Sequence, residues 1–325
     1  QAELRMLEDI IKNKKCFKLV CGAGNEDATE VEKLVYLYSK AGCNFFDLSA
    51  NLEVIESAKK GLERARIKNE RYLCCSVGIK GDPHVSKAHI DKENCINCKK
   101  CSDICPQDAI DENQNINKKR CIGCGTCVKI CPQNCIKTIS EDVDLKEILP
   151  PIIEKGIDCI ELHTIGDNEE EIDEKWQTIN ELFDGILSIC VDRFKTGNEK
   201  LVSRVKRMLD IRKPYTTIIQ ADGCPMSGCN DDYKTTLQTV AMAEIFQNEN
   251  LPAYIILSGG TNSKSTELAK LCNIDINGVA IGSYARKIVK KYVNRDDFFE
   301  NEVIFNEALK IAKNLVDTSM RYLND

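Results

Sequence analysis

The sequence predicts an α/β fold, a (β/α)8 barrel of the TIM type, broken after its third strand by a cysteine-dense insert. Three observations carry this. Short apolar strands alternate with amphipathic helices along most of the chain, the pattern of a parallel α/β protein. Eight such βα units are present. Setting residues 82–140 aside leaves about 266 residues, close to the ~250 of a typical barrel. A doubly wound open sheet is the alternative, but no G-x-G-x-x-G follows the first strand and eight strands would be many.

The elements follow in order. Residues 17–22 form the first strand, with a helix from near Asp27. The second strand, 44–50, precedes a helix from near Leu52. Its outward face must be apolar to meet the helices, so Phe45, Asp47 and Ser49 point into the barrel. The third strand, 72–78, sends Cys74 and Ser76 inward and leads into the insert, after which a helix starts near Val143. In the fourth, 157–163, Ile160 and Leu162 point outward, so Cys159, Glu161 and His163 point inward, and a helix follows from near Asn168. The fifth, 185–192, contributes Ser188, Cys190 and Asp192 before a helix near Glu199. The sixth, 217–222, contributes Gln220 and Asp222 before a helix near Asp232. Strands 253–258 and 278–282 complete the barrel, with helices near Ser265 and Ala285 and a last helix from about Asp297 to Leu323. The barrel thus comprises residues 1–81 and 141–325, and the inserted domain 82–140.

Of the 19 cysteines, eight lie in two runs. Cys95-Ile-Asn-Cys98-Lys-Lys-Cys101-Ser-Asp-Ile-Cys105-Pro106 and Cys121-Ile-Gly-Cys124-Gly-Thr-Cys127-Val-Lys-Ile-Cys131-Pro132 both read C-x2-C-x2-C-x3-C-P. This is the spacing of two-cluster ferredoxins, in which the fourth cysteine of each run reaches the other cluster. One [4Fe–4S] cluster would take Cys95, Cys98, Cys101 and Cys131, the other Cys121, Cys124, Cys127 and Cys105. Zinc knuckles are the competing reading, but zinc sites use separated pairs and often histidine. Lys99, Lys100, Lys118, Lys119, Arg120 and Lys129 stand beside these cysteines, where positive charge offsets thiolate-ligated clusters.

Because the insert occupies a βα loop, it falls on the catalytic face of a barrel. The strand ends there are rich in Asp47, Glu161, His163, Asp192 and Asp222. Asp47, Glu161, His163 and Asp222 are the candidate catalytic residues, with acid–base work falling mainly on His163 or the carboxylates. His84 and His89, at the entrance to the insert, read as structural. Strands seven and eight run into Ser258-Gly259-Gly260 and Gly282-Ser283-Tyr284-Ala285-Arg286, where glycine lets backbone N–H groups approach a phosphate. Ser258, Gly259, Gly260, Gly282, Ser283 and Arg286 are therefore the candidate phosphate site, for FMN or another phosphate-bearing ligand; tight turns alone would use the same glycines. The loop after strand six carries Cys224 and Cys229. With Cys21 and Cys74 they form a possible extra metal site, a redox pair or reactive thiols. Cys16, Cys43, Cys135, Cys159, Cys190 and Cys272 read as buried small apolar residues. No radical-SAM C-x3-C-x2-C occurs.

Composition narrows the function classes. Hydrophobic residues make up 42% and cysteines are too many for ordinary use, yet a chain of this size needs no disulfides in place of a core. A net charge of −6 argues against phosphate-backbone binding, so no nucleic-acid partner is expected. No apolar run approaches the ~18 residues of a membrane span. A cytoplasmic location is expected, with organellar import open because the chain starts at Gln1.

Taken together, 17–23 (Phe-Lys-Leu-Val-Cys-Gly-Ala), Asp82-Pro83-His84, Gln220-Ala221-Asp222-Gly223, Pro225-Met226-Ser227-Gly228, Ser258-Gly259-Gly260-Thr261-Asn262 and Gly282-Ser283-Tyr284-Ala285-Arg286, in order around the double-cysteine insert, resemble the light-dependent period modulator (LdpA) family of iron–sulfur proteins. The resemblance covers nearly the whole chain. It implies a redox-active iron–sulfur protein, known in cyanobacteria as a circadian input component that senses redox state and associates with clock proteins. The expectation from the residues is an iron–sulfur redox protein in which the insert passes single electrons, exchanged with a redox partner protein, to a phosphate-anchored flavin or small substrate at the barrel mouth. A redox-sensing regulatory scaffold without turnover is the alternative.

Overall fold

The computed structural model describes residues 2–22, 24–67, 69–80, 82, 85–192, 196–223 and 230–324, with backbone alone for 2–5. All eight expected strands form, and they close into one parallel barrel. In sequence these are β1 (Cys16–Val20), β2 (Phe45–Ser49) and β3 (Tyr72–Val77), then, beyond β4 (Ser86–Ile90) and β5 (Ile136–Ser140) of the insert, β6 (Cys159–His163), β7 (Ile186–Asp192), β8 (Thr217–Asp222), β9 (Tyr254–Ser258) and β10 (Gly278–Ile281). β10 pairs back onto β1, Lys18 standing opposite Ala280, and β3 pairs directly with β6, Cys74 opposite Cys159, as though the insert were absent.

Side-chain caps set where the outer helices begin. Asp27 accepts the Glu30 N–H at the start of α2 (Ala28–Lys40), and α1 is the N-terminal helix Ala2–Lys12. Asn51, Asp144 and Asn168 do the same for α3 (Leu52–Ala65), α6 (Leu145–Lys155) and α7 (Glu169–Leu182), satisfying N–H groups a helix start leaves unpaired. α4 (Lys100–Ile104) and α5 (Thr126–Ile130) belong to the insert. The ring continues through α8 (Asn198–Leu209), α9 (Leu237–Asn248), α10 (Ser265–Leu271), α11 (Ser283–Lys287), α12 (Lys290–Val293) and α13 (Glu302–Asn324). α9 starts later than Asp232 because Asn262 ties residues 230–235 into a turn, donating to the Asn230 and Asp232 carbonyls. α13 starts after Asn301, whose side chain accepts the Ile304 N–H. Among the described residues no helix is long and apolar enough to cross a membrane.

Strand alternation divides the core in two. Phe17, Leu19, Phe46, Leu48, Ile160, Leu162, Leu187 and Ile189 face outward and pack with the helices. Cys16, Phe45, Tyr72, Cys74, Cys159, Ile186, Ile218 and Ile256 fill the lower barrel interior. Sequence reading gave residues 1–15 no element. Ala2–Lys12 of this stretch form α1, whose Leu7, Ile10 and Ile11, on one face by their spacing, join the interior cluster and close the N-terminal end.

The insert has its own small core, with Ala88, Cys101, Ala109, Ile110, Cys121, Cys127 and Ile136. β4 and β5 run antiparallel with Ser86 opposite Ser140, so both ends of the insert leave the barrel side by side. Its two halves repeat their backbone. Left-handed residues recur at Asn97 and Gly123, at Lys99 and Gly125, and at Asp108 and Asn134. The second half leans on the barrel rim: the Glu26 N–H donates to the Lys119 carbonyl at 2.7 Å, Arg120 pairs with Asp27 at 2.9 Å, and Lys87 Nζ donates to the Gly24 and Cys121 carbonyls.

Candidate functional site

In the insert, Cys95, Cys98, Cys101 and Cys131 line one cavity, and Cys105, Cys121, Cys124 and Cys127 line another. The sets are those the spacing rule assigns, three cysteines from one run and the fourth from the other. Cysteine sulfurs there already receive backbone N–H groups, Ala88 to Cys121 Sγ and Ala109 to Cys105 Sγ at 3.3 Å. Lys99 and Lys100 border the first cavity. Sulfur donors in fours, amide donors and nearby cations together fit an iron–sulfur cluster. The first cavity lies outward, since Cys98 is exposed, while the second carries Ile122, which reaches toward Gly22 on the barrel rim.

In the barrel interior, above the apolar layer, the structure brings Asp47, Glu161 and His163 into one buried network, and half-buried Asp222 joins its edge by accepting from Cys190 Sγ at 3.5 Å. Its centre is a residue the sequence reading passed over, Lys18. Fully buried, Lys18 donates from Nζ to Glu161 Oε1 and to Gln220 Oε1, both at 2.8 Å. Ser188 Oγ donates to Glu161 Oε1 at 2.6 Å. Around Glu161 Oε2 stand His163 Nε2 at 3.1 Å, Ser76 Oγ at 3.3 Å and Gln220 Nε2 at 3.3 Å. Ser76 also donates to Asp47. The signal for Lys18 was present, because Phe17 and Leu19 on either side face outward and alternation turns Lys18 in.

These contacts order the charges. Burial works against ionisation of Glu161, but Lys18 and His163 overcome it and hold the carboxyl well below its usual range. Burial likewise opposes a charged His163, yet Glu161 beside it, with Asp82 and Asp47 further off, pushes its pKa up to about 9. Asp82, fully buried at the stem of the insert, is a second residue whose part in this site the sequence did not show. Asp222 goes the other way: burial and neighbouring Asp192 raise it to about 7. Burial also raises Asp47 against the pull of Lys18. Among the described residues, Asp47 Oδ2 and Asp222 Oδ1 are buried and meet no hydrogen-bond donor. Glu161, His163 and Cys190 place donor atoms within 4.8 Å of one another, but Glu161 is already engaged on both oxygens, so a cation there would have to displace Lys18 or His163.

At the rim, Gly259 and Gly260 are both left-handed, with φ of 74° and 70°, a turn that favours glycine. Ser258 Oγ accepts from Gln220 at 3.2 Å, tying this loop to the network. Gly282 and Ser283 lead into α11, and Arg286 donates from Nη1 to the Val20 carbonyl at 2.6 Å, at the end of β1. A cavity of about 180 Å³ opens beside the network, lined by Ser49, Ser76 and Gly78 of the barrel and by Lys87 and Glu141 of the insert stem.

Of the four thiols of the possible extra site, the described two lie in different layers. Cys21 packs in the outer core between strands and helices, whereas Cys74 lies inside the barrel opposite Cys159. Cys224 and Cys229 lie outside the described residues, as do Pro83, His84 and 225–228. Two cysteines expected to be buried are not. Cys272, which caps the end of α10, is exposed, and Cys135 is half-buried on the wall of the first insert cavity. His89 is exposed on β4.

Two family descriptions match. The Light dependent period A C-terminal domain matches residues 151–318, and the LdpA Fe–S cluster-binding domain matches residues 85–142. Light dependent period A of Synechococcus elongatus is 30% identical over 284 residues, 83% of this chain and 80% of that protein. Among solved structures, the YdjI aldolase from Escherichia coli K12 superposes with a TM-score of 0.52, covering 99% of this chain and 96% of that one at 7% identity. At that identity the likeness concerns the fold alone.

Proposed function

The chain belongs to the Light dependent period A family and is an iron–sulfur protein, and from that premise we propose that it carries two [4Fe–4S] clusters and relays single electrons to a small ligand at the barrel mouth. The observation that carries this reading is the placement of the second four-cysteine cavity. Its Cys121 carbonyl and the Gly24 carbonyl of the rim share one lysine, Lys87, and Lys87 also lines the cavity that opens onto Ser76 and the Glu161 network.

When bound, such clusters take up and release one electron at a time. The chain's own residues supply the rest. Cys95, Cys98, Cys101 and Cys131 would hold the outer cluster, and Cys105, Cys121, Cys124 and Cys127 the inner one. Exposed Lys99 and Lys100 on the wall of the outer site would present positive charge to a redox partner protein. Ser258, Gly259, Gly260, Gly282, Ser283 and Arg286 would hold the phosphate of FMN or another phosphate ester. His163, charged at neutral pH, and Asp222, poised near neutrality, hold protons that can follow an electron into the ligand. Asp47 and Glu161 fix the charge balance beneath them.

Anaerobic purification tests this directly. Iron and sulfide should each approach about eight per chain, at four per cluster. Mass spectrometry of the denatured protein should release a phosphate-bearing ligand, or the purified chain should bind added FMN and lose that binding in Arg286→Met. Iron without any barrel ligand would favour a second reading, a redox-sensing regulatory protein without turnover. The engaged state of Glu161 and the likeness to Light dependent period A of Synechococcus elongatus favour that reading. It requires binding of a partner protein to change when the clusters are reduced.

A further inference from the structure

The two halves of the insert match position for position, and one pair of matched positions is chemically unequal. After Cys105 and after Cys131 the chain reads Pro-Gln, then Asp108 or Asn134 with positive φ, then Ala109 or Cys135. Both of these last residues are pinned in the same way: the Asn117 N–H donates to the Ala109 carbonyl at 2.7 Å, and the Asp91 N–H to the Cys135 carbonyl at 2.8 Å. Both line their cavity, Ala109 the second and Cys135 the first. The second cavity is therefore walled by four thiols and the first by five. Cys135 Sγ lies 3.5 Å from Cys131 Sγ, a separation at which one metal atom can exchange between two sulfurs without movement of the backbone.

We propose that Cys135 is an interchangeable ligand for the iron held by Cys131, so that the outer cluster has a reserve thiol and the inner cluster has none. The inference rests on the two-cluster reading above. In the exchange, the bond from iron to Cys131 Sγ breaks and that sulfur takes a proton. Cys135 gives up its proton and bonds the same iron. Thiolate replaces thiolate, so cluster charge and electron count are unchanged, and no oxidant or reductant is needed. The outer cluster is the one that meets solvent, where Cys98 is exposed, and it is there that a ligand sulfur is most open to oxidation.

Iron and sulfide content and electron paramagnetic resonance of anaerobically purified holoprotein test the proposal. Cys131→Ala should keep about eight iron atoms with no three-iron cluster signal, whereas Cys131→Ala/Cys135→Ala should lose iron from the outer site. Cys105→Ala should lose iron from the inner site, because Ala109 offers no thiol. Ala109→Cys placed in the Cys105→Ala chain should restore it, and this gain decides the matter if Cys131→Ala does not fold. Equal iron loss in Cys131→Ala and the double variant overturns the proposal, as does failure of Ala109→Cys to restore the inner cluster. A wild-type chain with fewer than two four-iron clusters sinks the underlying reading and this proposal with it, a result visible before any variant is made.

Discussion

Replacing Lys18 by Met leaves the volume of the barrel interior nearly unchanged and removes only the ammonium group. In the structure that group makes two bonds of 2.8 Å, to Glu161 and Gln220, with no solvent contact, and sits 5.1 Å from the Phe45 ring centre. Charge-assisted bonds contribute about 1.5–3 kcal/mol each, and breaking a buried pair from one side costs about 3–5 kcal/mol. Glu161 keeps Ser188, Ser76, Gln220 and His163 around it, which favours the lower end, so the expected loss is about 3 kcal/mol. At about 2 °C per kcal/mol for a large domain, Tm should fall by about 6 °C. Lys18→Met/Glu161→Gln should recover much of this, because the uncompensated charge is gone. The pH dependence has a definite sign. Glu161 is held below its ordinary pKa, so its contribution is present above the unfolded value near 4.5 and is lost as pH falls. The deficit of Lys18→Met should therefore narrow in acid. Thermal or urea unfolding of the four chains of the cycle measures it. A single variant within about 1 kcal/mol of wild type, or strictly additive losses, would refute the pairing as the source of stability.

Further expectations follow from the same geometry. His163, raised from 6.5 to about 9, stabilises the fold fully below 6.5 and loses that contribution as pH rises through about 9; the shift corresponds to about 3 kcal/mol. His163→Gln should flatten the unfolding free energy between those pH values, and an unchanged slope would remove His163 from the network. Asp222, raised to about 7, favours the folded state when protonated, so stability declines from pH 4 to 7 and Asp222→Asn should flatten that interval. Arg204 is fully buried and donates to Glu169 and to the Thr164 and Gly166 carbonyls at 2.7 and 2.8 Å, fixing the loop beyond His163. Arg204→Met should cost about 3–5 kcal/mol, and Lys, lacking the fork, should not restore it. At Gly223 a Cβ would stand 2.1 Å from the Thr239 N, so Gly223→Ala should yield little folded protein at 37 °C, read by soluble expression and circular dichroism.

Most of the barrel was legible because its evidence is local. Two-residue alternation in strands such as Ile160-Glu161-Leu162 reports an outward and an inward face without knowledge of the partner strand. The cysteine spacing was legible for the same reason, since three cysteines of each set lie within seven residues of one another. Lys18 carried the same signal between Phe17 and Leu19, but a lysine in a five-residue strand has no meaning until Glu161 and Gln220, more than a hundred residues away, are brought against it. Asp82 and the thiol of Cys135 belong to this class too. What makes each consequential is a neighbour set by tertiary structure, and composition treats them as a surface acid and one more small apolar residue. α1 was visible in Leu7, Ile10 and Ile11 as an amphipathic face, but nothing local says that this face closes the bottom of a barrel.

The antiparallel pairing of β4 with β5 also bears on the order in which the molecule is made. About 80 residues separate β3 from β6, which must nonetheless pair side by side. Loop closure costs only about 0.6 kcal/mol for each doubling of length, so an unfolded insert raises the cost of that pairing by about 1 kcal/mol relative to an ordinary crossover. The barrel can therefore assemble around a cysteine segment that is still a loose loop. Zipping of Ser86 to Ser140 then turns the loop into a module hanging from two adjacent strands, accessible to whatever delivers its iron. On this topology metal loading can follow assembly of the barrel, and a chain prepared without iron should lose hydrogen-exchange protection in its insert while the barrel stays protected.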